Sequence, residues 1–373
     1  MKCNGTYSLQ VQTLHGEFTF RNQKFHSVEN GSSAFLQTAA DCQSLVTEGL
    51  QAWCVEACAD ARSIERARKS LAKLTGTSLV TRQTLCNWVQ KTAQRIDKRI
   101  AQDVQQSLEI TLPPLSPQVD LYDPDGQEVQ LFEDGILVKA QKPTHEPKGV
   151  EKKGKACQFH QSYFGLAPLP GGDYQFVMGT SDGAISMRDV LRAFLCQHWQ
   201  EGSEPLRLVA ITDGARDLHS DLLGAFGARL VVFLDWYHLR KKVCELCSML
   251  VSTKEERTAL KKQMLKLLFG GEVWQAYALI EALPIRNAVM HNKLLVYLSK
   301  HAHEIIDYAR RARAKKTIGS GRMEKGVDQV IGMRQKDNGM SWSKRGSYAL
   351  GMVTAFLANG RWKEIWNTAQ ALT

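Results

Sequence analysis

The stretch "LRLVAITDGA", residues 206–215, decides the class of fold. Its nearly continuous apolar run from Leu206 to Ile211 is typical of a strand that is buried on both faces. The run ends at Asp213-Gly214, and a short helical segment then reaches Gly227. A second apolar run, "RLVVFLDWYHL" at 229–239, follows. This order of strand, helix and strand predicts a parallel pair within an α/β sheet.

Two segments upstream of this unit predict further strands. The segment "EVQLFEDGILVKAQK", residues 128–142, predicts a strand that is broken at Asp134-Gly135. The segment "ACQFHQSYFGLAPLPGGDYQFVMGT", residues 156–180, predicts a hairpin that turns at residues 170–172. A helix is expected over 187–199, with Ser186 as its N-cap.

Downstream, residues 239–310 have helical periodicity and few strand signals, which indicates a helical insertion. The stretch "TIGSGRMEKGVDQVIGMRQKDNGMSWS", residues 317–343, follows it, and Glu324 opens a helix there. A carboxylate in a first turn favours the positive end of the helix dipole. A structural role therefore stands beside any chemical role for Glu324.

The N-terminal third differs from the rest. Alternation over 7–29 predicts a small hairpin, and the pattern from 34 to 108 becomes helical. The segments "SIERARKSLAKLTG" (63–76) and "TRQTLCNWVQKTAQRIDKRI" (81–100) form a helix, a glycine turn and a second helix. This outline fits a helix-turn-helix and equally an ordinary helical hairpin. The polar positions proposed to contact DNA are Arg82, Gln83, Asn87 and Lys91.

Composition points to a phosphate-bearing partner. The chain of 373 residues carries a formal charge of +10, and a basic excess is the usual mark of a nucleic-acid surface. The nine cysteines have no paired framework, no signal segment opens the chain and no apolar run has membrane-spanning length. We therefore expect reduced thiols, no membrane and a cytoplasmic location. The basic runs are Lys148, Lys152, Lys153 and Lys155; Arg240, Lys241 and Lys242; and Arg310, Arg311, Arg313, Lys315 and Lys316.

Three acids share a context that suits metal binding. Asp134 and Asp213 are each followed by glycine at an expected strand end, and Glu324 follows a glycine turn. Like charges that are gathered at the ligand crevice of an open α/β sheet are costly without a cation. Mg²⁺ or Mn²⁺ prefers oxygen ligands, and a pair of such ions supports phosphoryl transfer. Asp120, Asp123 and Asp125 are rivals for the place of Asp134.

The motifs "ITDGA", "LDWYHLRKK", "IGSGRMEK" and "RQKDNGMSWS" resemble, in this order, the bacterial insertion-sequence transposases with an RNase H-like core and an Asp-Asp-Glu triad. The resemblance covers roughly residues 120–365. It implies an RNase H-like mixed sheet with an all-helical insertion, and a triad of Asp134, Asp213 and Glu324 that binds Mg²⁺ or Mn²⁺ as two ions.

The resemblance also suggests supporting residues. Asp235 and His238 are expected as a second layer or as a substrate-strand contact, and a histidine that caps the strand end is the alternative. Asp328 is expected to support Glu324. Trp342 would stack on a base or lie in the core. Further DNA contacts are expected from Lys152, Lys153, Arg240, Lys241, Arg334 and Lys336.

Structural zinc is not expected. Relatives of this kind often carry paired CxxC motifs near the N-terminus, but only Cys3 precedes Cys42 here. The one CxxC, Cys244 with Cys247, lies in an expected helix without a second pair. His301 and His303 are the remaining candidates for such a site.

The expected organisation has five segments. They are an N-terminal hairpin (1–33), a helical DNA-binding region (34–109), the first part of the core (119–238), the insertion (239–316) and a C-terminal part with the catalytic Glu (317–373). The expected function is a DNA transposase that binds element ends and target DNA as a homo-oligomer, cleaves strands and joins them. A decayed DNA-binding protein and an RNase H-like nuclease without joining activity are the alternatives.

Overall fold

The structure, a computed structural model, describes residues 2–27, 31–34, 46–78, 80–141, 158–200, 204–215, 222–336 and 339–366. The chain divides into two compact units. The terminal unit comprises Met1–Arg99 with Met333–Thr373, and the sheet unit comprises Ile100–Gly332. The expected C-terminal segment, 317–373, is thus shared between the two units.

The elements follow one another in chain order. The strands are β1 (Lys2–Thr13), β2 (Gly16–Ser27), β3 (Gly31–Ala34), β4 (Val129–Lys139), β5 (Phe159–Pro168), β6 (Tyr174–Val177), β7 (Leu208–Thr212) and β8 (Leu230–Leu234). The helices are α1 (Glu48–Asp60), α2 (Ile64–Thr75), α3 (Arg82–Ser107), α4 (Met187–His198), α5 (Trp236–Cys247), α6 (Lys254–Phe269), α7 (Val273–Glu281), α8 (Ala288–Lys300), α9 (Tyr308–Arg313), α10 (Gly321–Val327), α11 (Lys344–Ala358) and α12 (Trp362–Trp366).

The terminal unit confirms the predicted hairpin and helix pair. Strands β1 and β2 pair antiparallel, and β3 adds to β2. Helix α2 begins at Ser63, whose side chain accepts a hydrogen bond from the backbone N–H of Arg66. It ends at Gly76, which has a φ of 71°, a left-handed conformation that glycine adopts readily. Helix α3 follows after a short turn.

The sheet unit contains a five-stranded mixed sheet in the order β6-β5-β4-β7-β8. The strands β4, β7 and β8 are parallel, whereas β5 and β6 are antiparallel neighbours at the other side. The predicted parallel pair and the predicted hairpin at residues 170–172 are confirmed. The predicted helix is α4, and its cap is a capping box of Ser186 with Asp189.

One strand prediction was wrong. Strand β4 runs without a break through Asp134 and Gly135, because these residues pair with Phe164 and Tyr163 of β5. A Cβ atom at Gly135 would lie 2.8 Å from Nε2 of Gln161. The glycine therefore lies within a continuous strand beside the flexible Gln161 side chain and not in a turn.

The two faces of the sheet are covered differently. Leu131 and Ala210 belong to a buried cluster with residues of α4. On the opposite face, Phe132 pairs with Leu166. A Cβ atom at Gly326 of α10 would lie 3.2 Å from Cδ1 of Leu166, so α10 lies against this second face.

The predicted insertion is helical, from α5 to α9. Arg311 of α9 is fully buried and donates to both carboxylate oxygens of Glu128, at 3.0 and 2.7 Å. Lys316 also pairs with Glu128, at 3.4 Å. This buried triad joins the end of the insertion to the segment before β4. None of the helices within the described ranges combines the length and the apolar character needed to cross a bilayer.

Candidate active site

Three acids stand at the same level of the sheet. Strand β4 pairs with β7 up to Phe132 and Ile211, and β7 pairs with β8 up to Thr212 and Leu234. Asp213 and Asp235 directly follow the last pair. Asp134 lies two residues beyond Phe132, as Asp213 lies two residues beyond Ile211. Because the three strands are parallel, Asp134 within β4 and the two acids that follow β7 and β8 lie at one level, towards the carboxyl ends of β7 and β8, where ligands of such sheets bind.

The rival acids lie at the other edge. Asp120, Asp123 and Asp125 precede β4, so they are at its amino end. Asp123 accepts a hydrogen bond of 2.7 Å from Arg207, which comes just before β7. Hydrogen bonding to Arg207 lowers the pKa of Asp123. This acid therefore forms an ion pair far from the strand ends.

Glu324 lies on α10, over the sheet face that carries Phe132. Side chains alternate along a strand, so Asp134 points to the same face as Phe132. Glu324 is exposed and Asp134 is half-buried. The helix that carries Glu324, 111 residues after Asp213 in the sequence, therefore packs on the face of the sheet that bears Asp134.

Asp235 connects the strand end to this helix. Its backbone N–H donates to the carbonyl of Thr212, next to Asp213. Its Oδ1 accepts from the backbone N–H groups of Tyr237 and His238, at 2.5 and 3.0 Å, and thereby caps α5. Its Oδ2 accepts from the backbone N–H of Ser320, at 2.5 Å, and from the Ser320 hydroxyl. Both carboxylate oxygens are thus occupied, and the residue that precedes α10 is tied to β8.

Burial and hydrogen bonding oppose each other at Asp235. The residue has no exposed surface, and burial alone would raise the pKa of its carboxyl group. Interactions with His238 and hydrogen bonds from Ser320 outweigh burial and lower this pKa to about 2. Asp235 is therefore a charged, fully bound group in the protein.

The loop before α10 is fitted closely to the start of α5. The backbone N–H of Trp236 donates to the carbonyl of Ile318 at 3.1 Å. A Cβ atom at Gly319 would overlap the ring of Tyr237. This glycine thus allows the loop to approach α5 and places Ser320 against Asp235.

His238 lies among the acids. Its Nδ1 is 3.6 Å from Oδ2 of Asp235, which makes an ion pair when the ring is protonated. The Asp235 carboxylate raises the pKa of His238, burial opposes the increase, and the negative charges of Asp213 and Glu324 add to it. The imidazole therefore sits within the electrostatic field of all three carboxylates.

The carboxylate of Asp213 accepts fewer hydrogen bonds from the protein than the carboxylate of Asp235 does. Its Oδ1 accepts one hydrogen bond of 2.8 Å from the backbone N–H of Ala215, and the residue is half-buried. In donor type and exposure, Asp134, Asp213 and Glu324 suit an oxygen-preferring divalent ion. Within the described ranges, no three His, Cys, Asp or Glu side chains are close enough together to hold a metal ion. Shared coordination would need the three carboxylates to move closer.

The proposed DNA-contacting residues have different environments. Arg82, Gln83, Asn87 and Lys91 are exposed along α3, and Gln83 donates to the side chain of Asn87 at 3.0 Å. Lys152 and Lys153 lie outside the described residues. Exposed side chains on other elements are Arg240 and Lys241 of α5, Asp328 after α10, and Lys336.

Arg334 and Trp342 interact with each other in the terminal unit. Arg334 is 4% exposed, donates to the carbonyl of Arg62 at 2.9 Å, and lies over the ring of Trp342 at 5.2 Å. Burial lowers the pKa of Arg334 to about 10. Its guanidinium is held inside the unit, so a DNA contact by this residue would require it to leave these partners.

Two of the residues considered for a zinc site, Cys247 and His301, are buried. Cys247 is fully buried in α5, and burial raises the pKa of its thiol to about 12. His301 bonds through Nδ1 to Glu304 at 2.8 Å. A thiol with so high a pKa is protonated at neutral pH, whereas a metal ligand must be the thiolate.

Sequence reasoning missed Ser320. Its hydroxyl does not cap α10 and instead donates to Asp235, which is 85 positions earlier. A serine directly before a helix is normally interpreted as an N-cap. Its true partner could not be identified from the local pattern.

Comparisons with known proteins add little. No family model matches the chain, and no curated protein matches it. Among solved structures, a chain of the Drosophila P element transposase strand transfer complex matches with 13% identity and a TM-score of 0.27. The match covers 90% of this chain and 84% of that chain. A TM-score of 0.27 is too low to indicate a shared fold.

Proposed function

We propose that this protein is a DNA transposase with an RNase H-like catalytic core. It binds element ends, cleaves DNA strands and joins them to a target by metal-dependent phosphoryl transfer. The order of the sheet supports the core assignment, because an antiparallel trio β4-β5-β6 is extended by two strands, β7 and β8, parallel to β4.

One observation carries the proposal. The parallel register brings Asp134 and Asp213 to the same level, and Asp235 ties the start of the Glu324 helix to that level. Asp134 and Asp213 at one level of the sheet repel each other, and this repulsion raises the energy of the folded state. Acids in this arrangement are typical of a catalytic site.

The roles follow from the surroundings of each residue. Asp134, Asp213 and Glu324 would hold Mg²⁺ or Mn²⁺, and two such ions can activate a water or a 3′-hydroxyl and stabilise the leaving oxygen. Asp235 keeps α10 in place, and the cationic form of His238 favours an approaching phosphate. The exposed residues of α3 would bind the DNA duplex.

The test is a strand-transfer assay with the purified 373-residue chain and Mg²⁺. Labelled duplexes that carry the DNA flanking its gene serve as donors, and a plasmid serves as target. We expect a nick with a free 3′-hydroxyl and a joined product on a denaturing gel. Nicking without joining would instead identify a nuclease, and DNA binding without either product would identify a catalytically inactive binding protein.

The helix pair provides a second test. Substituting a base-contacting residue of α3 should cost about 1 to 3 kcal/mol at one base position, whereas losing a phosphate contact should weaken all sequences alike. Gel shifts with Asn87→Ala and Lys91→Ala at several salt concentrations separate these outcomes. If alanine at Arg82, Gln83, Asn87 and Lys91 together leaves binding unchanged, the DNA-binding surface lies elsewhere.

A further inference from the structure

We infer that His301, at the end of α8 in the helical insertion, is a positioning residue for Asp213. The inference rests on the proposed function, in which the Asp213 carboxylate takes part in metal-dependent cleavage. It assigns to the insertion a direct part in shaping the catalytic edge.

The contact is made at the residue after the acid. Gly214 has a φ of 87°, and a Cβ atom there would lie 2.9 Å from Cε1 of His301 and 2.9 Å from Cδ1 of Leu234. The imidazole edge and β8 thus fill the space on one side of the turn. The hydrogen bond from Ala215 to Asp213 closes the turn itself. Together these contacts fix the direction in which the Asp213 carboxylate leaves the strand.

His301 is itself held firmly. It is 2% exposed, and its Nδ1 is 2.8 Å from Oε2 of Glu304. The carbonyl of Glu304 accepts a hydrogen bond of 2.9 Å from the backbone N–H of Leu234, the last residue of β8. The ring of Tyr297 lies 4.8 Å from the His301 ring, centroid to centroid. The position of the imidazole beside the Gly214 turn is therefore set by α8 and β8.

This arrangement matters because catalysis depends on small distances. A misplacement of about 1 Å at a reacting group can cost about 100-fold in rate. Residues that orient metal ligands typically contribute about 10- to 100-fold to affinity or activity. A loss of the His301 ring would let the Gly214 turn relax and would misdirect Asp213.

His291 provides a matched control in the same helix. It is also a buried histidine, at 8% exposure, and its Nε2 bonds to the carbonyl of Ile280 at 2.8 Å. Its hydrogen-bond partner belongs to α7, within the insertion. Substitution of His291 therefore reports on the general stability of the insertion, without the contact to Gly214.

The experiment compares His301→Ala, Glu304→Gln and His291→Ala with the wild-type 373-residue chain and with Asp213→Asn. The measurements are single-turnover nicking with Mg²⁺, Mn²⁺ binding in the absence of DNA by electron paramagnetic resonance, and melting temperature. We expect His301→Ala to lose about 10-fold or more in nicking rate and in Mn²⁺ affinity. Glu304→Gln should show a smaller loss of both, and His291→Ala should lower only the melting temperature.

Two results would overturn the inference. One is wild-type nicking and Mn²⁺ affinity in His301→Ala, or in Glu304→Gln if the alanine variant does not fold. The other is an equal loss in His291→Ala, which would make the effect one of general stability. Failure of the proposed function itself looks different, because then either the wild type does not nick DNA or Asp213→Asn nicks it as well as the wild type.

Discussion

The ends of β7 and β8 form a natural comparison. Asp213 and Asp235 each follow the last residue of a buried parallel strand, and the two strands are neighbours. Asp235 has no exposed surface, and both of its oxygens accept hydrogen bonds. Asp213 is half-buried, and the carboxylate contact seen for it is the short turn to Ala215. At equivalent positions in the sheet, one acid is thus fully hydrogen-bonded within the protein and the other is half-buried, as the proposed metal ligand would have to be.

The largest expected effect is on the activity of Asp213→Asn. The amide keeps the shape of the side chain but removes the charge, so nicking and joining should fall at least about 100-fold. Melting temperature and DNA binding should stay close to those of the wild type. Asp123→Asn removes a carboxylate from the opposite edge and should keep its activity. Equal losses of DNA binding and activity in Asp213→Asn would show that this acid is structural.

Glu324→Gln tests whether the comparison extends to the third acid. Because Glu324 is exposed on α10, losing its favourable dipole interaction should cost less than about 1 kcal/mol. Nicking should nevertheless fall to a level similar to that of Asp213→Asn. The matched variant is Asp328→Asn, one turn further on, which should retain measurable joining. An active Glu324→Gln would leave only the helix-dipole role for this residue.

Asp235→Asn should show the opposite balance of effects. An amide NH₂ would face donors at Ser320 or at the start of α5, so we expect the free energy of unfolding to fall by about 2 kcal/mol. Displacement of α10 should also lower the nicking rate, by about 10- to 100-fold. Ser320→Ala, which keeps the backbone donor, should lose only about 1 kcal/mol. Denaturant unfolding measures these differences. If Asp213→Asn is destabilised as much as Asp235→Asn, the contrast between the two acids is wrong.

The pH dependence of stability sharpens the same contrast. The pKa of Asp235 is about 2 in the folded protein against an ordinary value of 3.8. A depressed pKa stabilises the fold above pH 4, and the contribution of about 2 kcal/mol is lost as the pH falls from about 4 to about 2. The stability difference between wild type and Asp235→Asn should narrow over that range. If the unfolding free energies of wild type and Asp235→Asn changed in parallel down to pH 2, the low pKa of Asp235 would be contradicted.

The smallest expected effect concerns His238. Its pKa is raised above the ordinary 6.5 by Asp235, so its contribution to stability is fully present below pH 6.5 and is lost as the pH rises through the folded-state pKa. The difference in melting temperature between wild type and His238→Gln should therefore shrink towards alkaline pH. A difference that grows with pH would place the imidazole away from the acids.

The sequence was sufficient for features that depend on local patterns. The buried runs predicted the parallel pair, and Ser63, Gly76 and Ser186 marked the helix boundaries correctly. The Asp134-Gly135 pair was misinterpreted as a break, because this dipeptide usually marks a turn. The hydrogen bonds to β5 override that local preference, and they come from residues about 30 positions away.

Which of the acids are hydrogen-bonded within the protein could not be predicted from the sequence. The sequence left Asp235 and His238 open between a second-layer or substrate-strand contact and a histidine that caps the strand end. In the structure Asp235 caps α5 with one oxygen and binds Ser320 with the other. His301 gave no signal of its contact with Gly214, because 87 residues separate them. Such contacts join residues that are distant in sequence, so they depend on the tertiary fold and not on a local pattern.

The buried triad of Glu128, Arg311 and Lys316 has a consequence for the DNA binding that we propose. Two cations of the basic run at 310–316 are neutralised or shared inside the protein, where Arg311 has no exposed surface. Each phosphate contact on duplex DNA displaces roughly 0.9 counterions. A salt titration should therefore give a slope smaller by about two units than a count of the basic side chains in this run would suggest.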